Sequence, residues 1–113
     1  MDKRDRILLV KIINEINFLN TTLLSFNFEM FNKDEEKKRA TCMTLINIGE
    51  KVKLLSNEFK SNNSSIPWKQ IAGLRDVTAH GYDTLRIDII LETITDRLPK
   101  VKILIEEILN RCN

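Results

Sequence analysis

The sequence predicts an all-α fold: an antiparallel up-and-down four-helix bundle with a short fifth C-terminal helix. Three observations carry that expectation. Apolar residues recur three and four apart along most of the chain. No stretch alternates with the period of two that a half-buried strand needs. At 113 residues, 42% hydrophobic and 30% charged, the chain buries roughly 65% of its unfolded surface on folding, enough for one core. With no internal repeat and no flexible linker, residues 1–113 are expected to form a single helical domain.

The first helix is expected over about residues 5–31, because Leu9, Ile12, Ile16, Leu19, Leu23, Phe26 and Met30 form one seam. Leu8, Ile13 and Leu24 widen its apolar surface, and a homodimer is expected to bury the surplus. Asn32 followed by Glu35 makes a capping box, opening a second helix with its seam at Leu45, Ile48, Val52, Leu55 and Phe59 and its end near Ser61. A polar loop, Ser61 to Ser65, precedes Pro67, whose missing N–H suits the first turn of a third helix. Trp68, Ile71 and Leu74 give that helix a buried stripe, and Gly81 closes it just after His80. A fourth helix from about Leu85 carries Ile87, Leu91, Ile94 and Leu98. Pro99 breaks or kinks the chain, and Val101, Leu104 and Ile108 continue as the short fifth helix.

A net charge of +2 is too small to announce a nucleic-acid binder by its global field, so any phosphate site must come from local clustering. Lys37, Lys38, Arg39 and Lys69 are the candidates for that clustering. Cys42 and Cys112 match no metal-ligand spacing, which argues against zinc and leaves two reduced thiols as the expectation. No metal or other cofactor is expected. The N-terminus lacks the apolar length and cleavage site of a signal peptide, and no run approaches a membrane span. Those two absences point to the cytoplasm.

Chemistry concentrates in Arg75, Asp76, Val77, Thr78, Ala79, His80, Gly81 and Tyr82, which holds the only histidine and the only tyrosine of the chain. Asp76 and His80 are four apart, so on a helix the carboxylate can accept from one imidazole nitrogen and fix the tautomer of the other. His80 is then placed to act as an acid or base near neutral pH. Arg75 and His80 are five apart and point about 140° away from each other on a straight helix. Either Arg75 wraps toward the helix end, or a two-fold dimer completes the site. A guanidinium that holds phosphate oxygens and an imidazole that moves the 2′-hydroxyl proton suffice for a ribonuclease without metal. Tyr82 is placed to stack on a base or donate to phosphate. The competing reading is structural: a histidine at a helix end is favoured by the helix dipole, and a nearby tyrosine is commonly a packing residue.

The run Ile66, Pro67, Trp68, Lys69, Gln70, Ile71, Ala72, Gly73, Leu74, Arg75, Asp76, followed by Ala79, His80, Gly81 and Tyr82, resembles the signature of HepT-like proteins of the HEPN superfamily. Their motif is an arginine, four residues, a histidine, one residue and a tyrosine. Ile46, Asn47, Ile48, Gly49 and Glu50 resemble the family's second-helix segment, and Asp96 to Pro99 with the apolar tail resembles its C-terminal helix. The resemblance implies a HEPN-like bundle that dimerises and cleaves RNA, tRNA or mRNA, without metal, as the toxin of a prokaryotic toxin–antitoxin pair. It implies Arg75 and His80 as the catalytic pair and Asp76 as the supporting polar residue. It further implies a minimal nucleotidyltransferase antitoxin as partner, which silences the toxin by AMPylating Tyr82. Asp76 stands where many relatives have asparagine, and Arg97 where an acidic residue is common before Leu-Pro. The alternative is a non-catalytic helical subunit that binds a nucleotide or partners the nucleotidyltransferase.

Overall fold

The computed structural model describes residues 1–75 and 87–111 of the chain, and every regular element among them is helical. The expected all-α bundle is therefore the architecture found, while several helix boundaries fall elsewhere. The expected third-helix end at His80 and Gly81 and the expected start near Leu85 lie outside the described residues.

Helix α1 spans Lys3–Thr22, with Asp2 as its N-cap accepting from the Asp5 N–H at 2.7 Å. Leu9, Ile12, Ile16 and Leu19 are fully buried, as their spacing predicts, and each such side chain contributes about 1.5–3 kcal/mol of transfer free energy. The helix does not run on to residue 31. Asn20, Thr21 and Thr22 are three weak helix formers in succession. Ser25 takes a left-handed φ of 68°. Asn27 then accepts from the Met30 N–H at 2.8 Å and caps a new helix, α2, Phe28–Lys33. The break turns Met30 outward and sends Phe31 into the core in its place. Of the surplus apolar residues on this stretch, Leu8 is buried, Ile13 is partly buried against the core and Leu24 is exposed.

Helix α3, Glu35–Leu54, is capped by Asp34, which accepts from the Lys37 N–H at 3.0 Å, so the cap sits two residues beyond the expected Asn32. Glu35 and Glu36 in its first turn and Lys51 and Lys53 in its last complement the helix dipole. Leu45, Ile48 and Val52 are buried along its inner face. The seam continues through Leu55 and Phe59, but the helix does not: Ser56 opens α4, Asn57–Asn62, by accepting from the Phe59 N–H at 3.2 Å.

Asp5 decides that break. In an unbroken helix the Ser56 N–H would bond to the Val52 carbonyl; here it donates to Asp5 Oδ1 at 2.9 Å, and Ser56 Oγ donates to Oδ2 at 2.6 Å. Asp5 is only 2% exposed, so this carboxylate stitches the start of α1 to the α3–α4 corner.

Pro67 precedes α5, Trp68–Ala72, which closes at Gly73, so the expected third helix does not run unbroken from Pro67 toward His80. Trp68 packs on Phe59 with ring centroids 5.7 Å apart and donates its indole N–H to the Asn63 carbonyl at 3.0 Å. Trp68 and Ile71 are buried and Leu74 partly so, which matches the expected stripe.

The C-terminal part is one helical run. Helix α6, Ile87–Glu92, passes through a π turn, Thr93–Arg97, into α7, Leu98–Arg111. The expected disruption at Pro99 is thus absorbed one turn upstream: the wider π turn accommodates a residue that lacks an N–H and would crowd the carbonyl four residues back. Ile94, Leu98, Val101 and Ile108 of the expected seam are buried, within that turn and after it. Ile90 and Ile105 are core residues, whereas the expected Leu91 and Leu104 are only partly buried.

Helix α1 lies against α3 and α7, and α3 also receives α2 and α5. Cys42 on α3 is buried and unpaired, and burial pushes its thiol above the usual range against a smaller opposing pull from Lys38. Cys112 lies outside the described residues. No helix among the described residues is long and apolar enough to cross a membrane.

Candidate active site

A glycine in the middle of a 20-residue helix needs a reason, since it weakens a helix by about 1 kcal/mol relative to alanine. Gly49 has one. A Cβ at this position would stand 3.0 Å from the Ala72 carbonyl oxygen and 3.0 Å from both the Arg75 N and Cβ. The bare glycine lets the 72–75 backbone lie directly on α3. One residue further along α3, Glu50 Oε1 meets Arg75 Nε at 3.0 Å.

These two neighbours set the candidate arginine. The Arg75 side chain is 35% exposed and that of Glu50 48%, so the pair sits at the rim of the core, open to solvent on one side. An ion pair that exposed contributes under about 1 kcal/mol to stability. Its larger consequence is orientation: it engages Nε, the guanidinium N–H nearest the chain, and so fixes where the forked Nη end points. Planar guanidinium geometry matches two phosphate oxygens, which makes a fixed arginine a better phosphate holder than a mobile one.

Asp76, His80 and Tyr82, the other three candidate site residues, lie outside the described residues. Among the described residues, the structure adds Gly49 and Glu50 to the site. Reading the sequence for chemistry gives neither a role. Two signals were available: the isolated glycine inside a helical pattern, beside an acid, and the place of both residues in the Ile46–Glu50 segment that carries part of the family resemblance.

Of the expected basic cluster, only Lys38 and Arg39 meet an opposing charge among the described residues, and exposed Lys69 stands on a different helix, α5. Lys38 pairs with Glu35 at 3.1 Å, Arg39 meets the same carboxylate at 3.5 Å, and Lys37 lies over the Phe26 ring, 5.4 Å from its centre. No group of three or more His, Cys, Asp or Glu side chains able to hold a metal ion occurs among the described residues.

Comparison with known proteins adds an independent line. The family model described as ribonuclease HepT-like matches residues 12–108. A protein of Caldanaerobacter subterraneus subsp. tengcongensis, provisionally named an RNase, is 39% identical over 109 residues, covering 96% of this chain and 97% of that one. A provisionally named RNase of Methanocaldococcus jannaschii is 32% identical over 110 residues, covering 96% of this chain and 91% of its own. A protein of Thermococcus cleftensis with the provisional name ribonuclease HepT is 32% identical over 75 residues, covering 66% of this chain and 68% of that one. No solved structure matches the chain.

Proposed function

The chain belongs to the HepT-like ribonuclease family, and from that premise we propose that it is a metal-independent endoribonuclease, the toxin of a toxin–antitoxin pair, with Arg75 and His80 as its catalytic residues. The observation that carries the reading is the way Arg75 is held, with Gly49 beneath its backbone and Glu50 on its Nε at 3.0 Å.

In this proposal His80 removes the proton from the ribose 2′-hydroxyl. The 2′-oxygen attacks the adjacent phosphorus, the bond to the 5′-oxygen breaks, and the products are a 2′,3′-cyclic phosphate and a 5′-hydroxyl. The leaving oxygen takes its proton from the second imidazole of a two-fold dimer. Arg75 stabilises the charge that builds on the phosphate oxygens, and Asp76 accepts from the imidazole to hold its tautomer. General acid–base transfer of this kind is worth about 10²- to 10⁴-fold in rate. A minimal nucleotidyltransferase antitoxin silences the enzyme by AMPylating Tyr82. The added anion, two residues from His80, fills the cleft and repels RNA phosphate.

The test is incubation of purified protein with total tRNA and a structured mRNA in the presence of EDTA, beside His80→Ala. Cleavage that survives EDTA, leaves 2′,3′-cyclic phosphate ends and vanishes in the variant is the expected result. Absence of cleavage by protein whose mass shows Tyr82 unmodified defeats the ribonuclease reading and favours a non-catalytic partner subunit.

A further inference from the structure

The residue before Arg75 opens a second feature. Leu74, with Pro67, Gln70 and Ile71, forms one wall of a cleft of about 70 Å³ whose other wall is Thr93, Arg97, Leu98 and Val101. That is room for about two waters at their liquid volume of roughly 30 Å³ each, too little for a whole nucleoside but enough for the edge of a flat ring. The walls are mainly apolar. Thr93 Oγ donates to the Ile89 carbonyl at 2.9 Å, and the other polar side chains among the lining residues are those of Gln70 and Arg97.

Arg97 owes its position to the π turn. Residues five apart stand about 140° apart on an α-helix, yet Arg97 Nη2 lies 3.8 Å from Glu92 Oε1, because i→i+5 bonding brings that spacing onto one side. At 3.8 Å, with both side chains about two-thirds exposed, the pair is loose and a phosphate oxygen can displace it. The result is a cation on the lip of an apolar slot that begins one residue from the arginine assigned to the reacting phosphate.

We propose that this cleft is a subsite for the nucleotide flanking the cleavage point: Arg97 binds its phosphate, and the slot, with Gln70 at its edge, takes the edge of its base. The inference rests on the ribonuclease reading and adds to it a second phosphate contact outside the reacting centre.

The test uses the full-length His80→Ala protein, which leaves RNA intact, titrated with a short unstructured RNA oligonucleotide over a range of salt. Adding Arg97→Gln is expected to weaken binding about tenfold and to lower the slope of log affinity against log salt by about 0.7, the share of one single-strand phosphate contact. Lys100→Gln, at an exposed lysine paired with Asp96 at 3.2 Å, is expected to change neither. In the otherwise wild-type enzyme Arg97→Gln is expected to raise KM and leave kcat unchanged. Binding and salt slope unaltered by Arg97→Gln, in protein that still binds RNA, overturn the subsite alone. Arg97-dependent binding without cleavage by wild type removes the nuclease and with it the cleavage-flanking role, while upholding the cleft as an RNA phosphate contact. No RNA binding by either protein overturns both.

Discussion

Asp5 and Glu50 each carry a carboxylate from one helix to a residue distant in the chain, but in different surroundings. Asp5 is 2% exposed and accepts two hydrogen bonds from Ser56, at 2.9 and 2.6 Å, where the chain turns from α3 into α4. Glu50 is about half exposed and meets the Arg75 guanidinium at 3.0 Å. Burial separates what the two do. Asp5 is itself buried and its two bonds join the start of α1 to the α3–α4 corner, so the contact holds the fold. Around Glu50 water can replace a lost partner, so the contact adds little stability and serves instead to aim an arginine.

The largest effect expected from this contrast is on Asp5. Asp5→Ala removes two hydrogen bonds to a buried carboxylate, each worth about 1.5 kcal/mol where the acceptor is charged, and so costs about 3 kcal/mol. In a chain of this length that lowers Tm by roughly 12 °C, measured by thermal unfolding. RNA cleavage per folded molecule, assayed well below Tm, should not change. A Tm within about 3 °C of wild type, or a loss of cleavage at full folding, would break the division between the two carboxylates.

Next in size is Gly49→Ala. The new methyl meets the Ala72 oxygen and the Arg75 N and Cβ at 3.0 Å, so the 72–75 backbone must withdraw by a few tenths of an ångström. Overpacking costs about 1–3 kcal/mol, and the gain of alanine over glycine in a helix, about 1 kcal/mol, offsets part of it. The change in Tm is therefore modest while Arg75 is displaced. Since a 1 Å misplacement costs about 10²-fold, a loss of roughly tenfold in kcat/KM is expected with the melt nearly intact. Unchanged kcat/KM would mean that the close approach only packs the helices.

The same contrast explains which parts of the molecule were legible beforehand. The stripe of Leu9, Ile12, Ile16 and Leu19 follows from helical spacing alone, as do Leu45, Ile48 and Val52. The helix breaks did not follow, because the seam stays in register across them: Leu55 and Phe59 are buried just as a continuous helix would bury them. What ends α3 is Asp5, some fifty residues away; the local signal, Ser56 as N-cap with Glu58 in the next first turn, is masked by the unbroken apolar seam. Pro99 did signal a discontinuity, but its resolution as a π turn upstream depends on the packing of the whole run. At the site, motif spacing singles out Arg75, whereas its anchor lies on another helix, and pairing between helices leaves no trace in spacing. Gly49, an isolated glycine in a helical pattern, and the family-like Ile46–Glu50 segment around it were the visible clues.

The smallest effect is expected at Glu50 itself, and it is the sharpest test. Glu50→Gln keeps an oxygen able to accept from Arg75 Nε but removes the charge. A lost exposed ion pair leaves stability within about 1 kcal/mol, a Tm shift of roughly 4 °C or less. If Glu50 acts by orienting the guanidinium, glutamine retains most of the cleavage rate while Glu50→Ala loses up to about tenfold, because only alanine removes the acceptor for Arg75 Nε. If the charge mattered for its own sake, the two variants would fall together. A negative charge beside a phosphate-binding arginine repels substrate, so removing it should by itself tighten RNA binding slightly. Glu50→Gln is therefore expected to show a KM equal to or below wild type, with kcat nearly unchanged. A rise in KM for glutamine as large as for alanine would show that Glu50 meets the RNA rather than the arginine.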